Sequence, residues 1–260
     1  ESDSERVAGL IRASGGTPVD RAEEADLVVV NTCAVREKSE DKLYSYLGRL
    51  AALKKRRPLR VGVVGCVAQL RGLELLGPRF SVDFVLGPDN DGRLREILGP
   101  ASAEKVAATD WSADWNETPP DLILRQSPAS AFVTVMEGCD NFCAYCVVPF
   151  TRGREKCRPM SSIVAEVRDL VRRGYLEVQL LGQNVNSYRD PETGVRFADL
   201  LGAVAAVDGL PWLRFLTSHP RDFTDEIGRA MSEARVICRH LHLPLQSGSN
   251  AVLGRMRRGY

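Results

Sequence analysis

Cys139, Cys143 and Cys146 lie close together in EGCDNFCAYCVVPF (residues 137 to 150), at the spacing C-x3-C-x2-C, and a proline follows before any further thiol. Thiolates are ligands for soft and borderline metals, so the question is which centre wants three of them. A structural zinc site closes a tetrahedron with four ligands, commonly two cysteine pairs, and here the second pair is missing. Cys157 is a further thiol in reach, but the intervening VVPFTRGREK is unlike a zinc knuckle. An iron–sulfur cube has four irons, and three protein thiolates leave one of them open to a substrate or cofactor. Spacing alone leaves cube, zinc and unliganded thiols open, with the chemistry favouring the cube.

Four cysteines stand apart from this cluster. Cys33 and Cys66 each follow an apolar run, in ADLVVVNTC (25 to 33) and RVGVVGCVA (60 to 68). Cys157, in TRGREKC, is expected to be a bystander, and Cys238, in ARVICRH, a small buried hydrophobe. His240 and His242 alternate along an expected strand, HLHLPLQ (240 to 246), but no third ligand accompanies them, so core or cleft histidines are the reading.

The elements that must position these residues repeat one unit: a short apolar run ending in a special residue, then a helix-period segment. In the first third the runs are residues 25 to 33, 60 to 68 and 82 to 88. Leu43, Tyr46, Leu47, Leu50 and Leu53 mark the helix between the first two. Strand alternating with helix predicts a parallel sheet, whose functional groups collect beyond the carboxyl ends of the strands. Residues 101 to 129 lack periodicity, carry paired prolines and read as a linker. The unit then resumes at 131 to 139, 177 to 184, 213 to 220 and 240 to 246. Ile163, Val164, Val167, Leu170 and Val171 form one helical stripe, and Thr224 before Asp225 and Glu226 predicts a capped helix start. Four such units predict a partial (βα) barrel with the three-cysteine loop after its first strand, at the catalytic end. The expected fold is therefore α/β, with residues 1–100 as the first domain and 130–260 as the second.

At 260 residues, 44% hydrophobic and 27% charged, the composition is that of a soluble globular protein. No apolar run is long enough to cross a bilayer, and the first residues lack a signal-peptide pattern, so no membrane partner and a cytoplasmic location are expected. Seven cysteines, an odd and clustered set, suit reduced thiols better than a disulfide framework. A net charge of +1 announces no global field for nucleic acid. Both ends read as cut: the chain opens on an amphipathic helix (Val7, Leu10, Ile11) with no strand before it, and stops at RMRRGY as a helix ends.

C-x3-C-x2-C after the first barrel strand, with Tyr145 just before the third cysteine, resembles the signature of radical S-adenosylmethionine (SAM) enzymes. NTCAVREK, GCVAQ, EGCDNFCAYCVVPFTRGRE, LLGQNVNSY, TSHPRDF and LPLQSGSNAVLGRMRRGY, in this order, resemble the MiaB type of tRNA methylthiotransferase, over nearly the whole chain. The resemblance implies a flavodoxin-like N-terminal domain with an auxiliary [4Fe–4S] cluster on three cysteines, a radical SAM core, and a C-terminal RNA-binding TRAM domain. The implied reaction places a methylthio group on C2 of N6-isopentenyladenosine next to the anticodon.

Residue by residue, Cys139, Cys143 and Cys146 match the radical SAM cluster ligands, and Cys33 and Cys66 match two of the auxiliary ligands. The third auxiliary cysteine is expected in a first strand ahead of residue 1, and the last barrel units and the TRAM domain after residue 260. The open iron would hold SAM, cleavage would yield a 5′-deoxyadenosyl radical, and an auxiliary cluster could carry the sulfur. An electron donor is implied. Gln183 and Asn184, after the second barrel strand, could meet the amino group of SAM or merely shape a turn. Tyr145 could pack by adenine or in the core.

For RNA, the anticodon stem-loop being the implied partner, the candidates are KKRRPLR (54 to 60), Arg152 and Arg154 beside the cluster loop, and the terminal RMRR. Cations near helix C-termini are ordinarily solvated, so KKRR alone is weak; Arg152 and Arg154 are better placed for phosphates around an unstacked base. Two other classes remain: a methylthiotransferase acting on an aspartate of a ribosomal protein, and a non-catalytic metal-binding scaffold.

Overall fold

In the computed structural model, the apolar runs of the first third become parallel strands. The structure describes residues 1–34, 37–99, 104–116 and 118–260, with the side chains of residues 37 and 38 outside the description. The middle of the NTCAVREK motif and part of the 101 to 129 segment therefore lie outside the described residues. The chain divides into two compact units, one chiefly Asp3–Leu124 and the other chiefly Arg125–Pro149 with Gly153–Tyr260.

The first unit runs α1 (Ser2–Ala13), β1 (Leu27–Thr32), α2 (Glu37–Lys54), β2 (Arg60–Gly65), α3 (Cys66–Arg71), β3 (Phe84–Leu86), α4 (Leu94–Ile97) and β4 (Val106–Ala108). Its four strands lie in chain order, all parallel. Both faces are covered. Leu43, Leu47 and Leu50 of α2 pack with Val61, Val63 and Val85 on one side, while Val7 and Leu10 of α1 pack with Val64, Phe84 and Leu86 on the other. Burial on both faces is why the strands read as continuous apolar runs rather than alternating ones. Gly62 leaves room for the Phe84 ring, which a Cβ there would meet at 2.1 Å.

The 101 to 129 segment is not linker throughout, because Val106–Ala108 pairs with Phe84–Leu86 as β4. Three residues carry too little periodicity to be seen in the sequence, and the ladder is supplied by β3.

The second unit runs β5 (Ser130–Thr134), β6 (Met136–Glu137), α5 (Val148–Thr151), β7 (Lys156–Cys157), α6 (Met160–Arg172), β8 (Glu177–Leu181), α7 (Phe197–Ala205), β9 (Trp212–Phe215), α8 (Asp225–Glu233) and α9 (Asn250–Arg255). β5, β8 and β9 form a parallel sheet in that order. Ile163, Val167 and Leu170 of α6 and Leu200, Leu201 and Val204 of α7 bury their stripes with Val133, Val178, Leu180 and Leu213. Phe197 meets Phe215 edge to face at 5.2 Å. Thr224 stands at the N-cap position of α8, as its sequence predicts, but its side chain makes no capping hydrogen bond.

The fourth expected strand, 240 to 246, does not form. Its place beside β9 is reduced to one bridge, Leu213 with Ile237, and one bond from the Ser218 N–H to the His242 carbonyl at 3.2 Å. Pro244 has no N–H for a ladder, and its carbonyl is taken by the Arg258 guanidinium at 3.0 Å. His240 and His242 are both exposed, which removes the strand-face geometry expected of them.

Candidate functional site

In the first unit, Thr32 and Gly65 are register partners at the ends of β1 and β2, so Cys33 and Cys66 follow them at neighbouring strand ends. Cys33 is exposed and Cys66 buried. Gly65 has φ +89, and a Cβ there would lie 2.6 Å from both the Asn31 Oδ1 and the Thr32 carbonyl oxygen, so the turn that delivers Cys66 requires glycine. Thr32 secures the turn from the other strand: its hydroxyl donates to the Val64 carbonyl at 2.7 Å and accepts from the Val67 N–H at 3.1 Å.

In the second unit, the three-cysteine loop is closed at its base by a two-stranded antiparallel ribbon, Met136 with Cys157 and Glu137 with Lys156. Gly138, at φ +78, lets the strands pass where a Cβ would sit 2.0 Å from the Arg154 carbonyl oxygen. The Cys139 N–H donates to the Gly153 carbonyl at 3.1 Å, and the Cys146 N–H to the Cys143 carbonyl at 2.9 Å. Cys139 and Cys143 are buried and Cys146 half-buried. Burial pushes the Cys139 thiol up to about 11, a backbone hydrogen bond from Asn141 works against it, and Glu155, Cys146 and Cys143 add to the rise.

Among the described residues, no three His, Cys, Asp or Glu side chains gather as a single metal ion requires. Around one zinc at about 2.3 Å from each sulfur, thiolates would be only about 3.8 Å apart, whereas a cube takes each thiolate on a different iron. Three thiols sharing one loop, two of them buried, form a donor set that fits the cube.

Polar groups converge beyond the carboxyl ends of β8 and β9. Asn184, 1% exposed, donates to Asp222 Oδ2 at 2.6 Å, and its backbone carbonyl accepts from the Ser187 N–H at 3.1 Å. Yet Gln183 Oε1, Asn184 Oδ1, Asn186 Nδ2, Ser218 Oγ and His219 Nε2 are all buried without a hydrogen-bond partner. Buried polar atoms are normally satisfied, so five orphans at two adjoining strand ends mark a place for a polar ligand. Thr217, at φ 71, holds the non-glycine backbone in the left-handed region at the same spot. His219 accepts the Arg221 N–H on Nδ1 at 3.2 Å, which leaves Nε2 as the free donor. Burial, and then the Arg258 charge, lower its pKa to about 4 and keep it neutral. A cavity of about 600 Å³ lined by Asn186, Arg196, Arg221 and Asp222 lies alongside.

Sequence reasoning anticipated Gln183 and Asn184 but missed Asn186, Ser218 and His219; the signal for Ser218 and His219 was their place just after the apolar run of β9. Tyr145 is 51% exposed, which sets aside the core-packing reading. Cys157 sits on β7, packed against the core, and accepts the Arg189 N–H at 3.4 Å. Cys238 is buried beside Leu213, as expected of a small hydrophobe. Of the basic candidates, Lys54 pairs with Asp83 and Arg57 with Asp26, while Arg60 donates to the Ile97 carbonyl. Arg152 pairs with Asp3, and Arg154 pairs with Asp140 at 3.4 Å while lying 5.3 Å over the Phe142 ring.

Residues 133–260 match the model of the Radical SAM superfamily, and residues 1–87 that of the Uncharacterized protein family UPF0004. A protein of Anaeromyxobacter sp. (strain K), named tRNA-2-methylthio-N(6)-dimethylallyladenosine synthase, is 48% identical over 100% of this chain and 56% of its own length. The chain belongs to the radical SAM methylthiotransferase family. A Geobacter metallireducens relative of the same name is 47% identical over 100% of this chain and 59% of its own. The chain thus spans little more than half the length of the curated relatives it matches.

Two solved radical SAM enzymes share the fold of this family member. The cobalamin-dependent SAM radical enzyme OxsB superposes with a TM-score of 0.61 at 12% identity, over 100% of this chain and 43% of that one. The SAM methyltransferase TsrM from Kitasatospora setae does so with a TM-score of 0.58 at 15% identity, over 95% and 52%. Family membership implies SAM and a [4Fe–4S] cluster as cofactors, and among the described residues no helix is long and apolar enough to cross a membrane.

Proposed function

We propose that this chain is the catalytic part of an enzyme that adds a methylthio group to C2 of N6-isopentenyladenosine next to the anticodon of tRNA. The observation that carries the reading is the pairing of two cysteine sets, each at the carboxyl end of its own parallel sheet. The chain that holds them is 42% to 48% identical, nearly end to end, to proteins named for that product. Residues 1–100 form the auxiliary-cluster domain, with β4 extending its sheet, and residues 130–260 the radical SAM core. Cys139, Cys143 and Cys146 hold one [4Fe–4S] cluster; Cys33 and Cys66 supply two ligands of a second.

Bound cluster and SAM together supply the radical chemistry that replacing an unactivated aromatic C–H requires. The chain's own residues bind and orient. Gln183 Oε1 and Asn184 Oδ1 are acceptors for the amino group of SAM, and the Tyr145 ring is a half-open surface for its adenine. Neutral His219 offers an N–H without adding charge. Loop burial keeps water from Cys139 and Cys143. The anticodon stem-loop is the partner, an electron donor supplies the reductant, and the thiol-rich sites suit a cytoplasmic location.

Anaerobic reconstitution of the full-length protein tests the reading. Two clusters per chain and cleavage of SAM to methionine and 5′-deoxyadenosine under reductant are expected. A folded protein that takes up zinc but no iron and sulfide would leave the scaffold reading in its place.

A further inference from the structure

Arg258 closes the run RMRR, but unlike the exposed Arg255 and Arg257 it is buried, at 6% exposure. A reversal of the backbone turns it inward: Arg257 at φ 55 and Gly259 at φ 70 flank it, and its N–H closes on the Leu253 carbonyl at 3.1 Å just past α9. A non-glycine residue such as Arg257 is held in that region only where its surroundings over-determine it.

The Arg258 guanidinium donates to Cys143 Sγ at 3.4 Å, to the Tyr145 hydroxyl at 3.3 Å and to the Pro244 carbonyl at 3.0 Å, and lies 5.4 Å over the Tyr260 ring. The same turn grips the cysteine loop through its backbone, the Ala144 N–H donating to the Met256 carbonyl at 3.0 Å. Every partner is neutral as a thiol, phenol, ring or carbonyl. Among the described residues, no carboxylate forms an ion pair with Arg258.

A guanidinium does not shed its proton in a protein, and a buried cation without an anion is strongly disfavoured. Among the described residues, compensation of this cation is left to charge that arrives when the site is loaded. Cys143 is the partner that becomes an anion on ligating metal, releasing its proton to solvent.

We propose that Arg258 is the counter-cation of the thiolate-held cluster, a positioning residue that compensates the Cys143 thiolate and raises the cluster's reduction potential. The inference rests on the reading of Cys139, Cys143 and Cys146 as cluster ligands. A cation beside a cluster favours the more negative, reduced state, and an N–H···S bond acts in the same direction.

The test uses the full-length protein carrying Cys33→Ala and Cys66→Ala, so that a single cluster assembles, with Arg258→Gln and Arg258→Lys added in turn. Iron and sulfide content and the midpoint potential are read without SAM, and SAM affinity separately. Arg258→Gln is expected to shift the potential to more negative values and lower iron retention several-fold, while Arg258→Lys, which keeps the charge, restores most of the potential. An unchanged potential and iron content in Arg258→Gln overturn the inference. So does a loss confined to SAM affinity, which would assign the cation to a ligand carboxylate instead.

A second arm needs no cluster and stands even where Arg258→Gln does not fold. Cys143→Asp places a permanent anion beside Arg258, and the cluster-free chain is expected to melt at a higher temperature than its neutral counterpart Cys143→Asn. Equal melting temperatures would contradict a cation awaiting an anion. A background protein that takes up no [4Fe–4S] cluster at all would instead contradict the underlying ligand reading.

Discussion

Cys33 and Cys66, 33 positions apart in sequence, stand at adjoining strand ends because the residues before them, Thr32 and Gly65, are parallel register partners. Neighbouring strands lie about 4.8 Å apart, so the two thiols start from backbones one strand spacing from each other. Gly65→Ala tests what holds them there. Its Cβ would strike the Thr32 carbonyl in a backbone conformation that only glycine takes readily, and a loss of about 1–3 kcal/mol in stability is expected. Denaturant unfolding reads that loss, and iron content should fall by one cluster per chain. Cys33→Ala, on an exposed side chain, should cost the same iron with no loss of stability.

The loop cysteines should separate cleanly from Cys157. Alanine at Cys139, Cys143 or Cys146 is expected to abolish SAM cleavage and remove one cluster, measured by iron and sulfide analysis after anaerobic reconstitution. Cys157→Ser should leave both near the parent values, because its sulfur is packed on β7 and accepts the Arg189 N–H. A loss from Cys157→Ser as large as that from Cys143→Ala would restore a four-thiolate site.

His219 links stability to pH. In the folded chain its pKa is lowered from 6.5 to about 4, first by burial and then by the Arg258 charge. Between those values the unfolded chain binds the proton and the folded chain does not, so stability is fully present above about 6.5 and declines as pH falls towards 4. Melting temperatures over that window should show the decline, and His219→Gln should flatten it. A wild-type profile level across the window would mean that the imidazole is solvated.

A buried charge triad supports the second sheet. Glu166, 4% exposed, is held by the Arg125 and Arg158 guanidiniums, and Arg158 also donates to Ser162 Oγ at 2.8 Å. Removing this anion strips both guanidiniums of their Glu166 contacts, so Glu166→Gln is expected to cost about 3–5 kcal/mol. Chemical denaturation checks it, and a change under about 1 kcal/mol would show that water reaches the triad.

Much of this was legible in sequence because it depends on local pattern. Strands covered on both faces wrote themselves as LVVV and VGVV, α6 as a stripe from Ile163 to Leu170, and the cluster loop as a spacing. What stayed hidden depends on partners supplied from elsewhere in the chain. β4 exists because β3 offers it a ladder, and β6 and β7 because two short segments meet across the cysteine loop. Residues 240 to 246 looked like a strand by alternation, yet Pro244 and the capture of its carbonyl by Arg258 deny it a ladder. Arg258 itself read as one cation among three, since nothing in RMRR tells which arginine a positive-φ turn will bury. His219 and Ser218 carried only their position after an apolar run, and their importance lies in hydrogen bonds they do not make.

The most direct test of the central reading is the nucleoside product. The full-length protein, loaded with iron and sulfide and supplied with SAM, a reductant and an anticodon stem-loop carrying N6-isopentenyladenosine, should yield the 2-methylthio nucleoside on digestion and mass analysis. Cys33→Ala should still cleave SAM but yield none of it. A wild-type protein with both clusters that cleaves SAM and leaves the nucleoside unchanged would contradict the assignment.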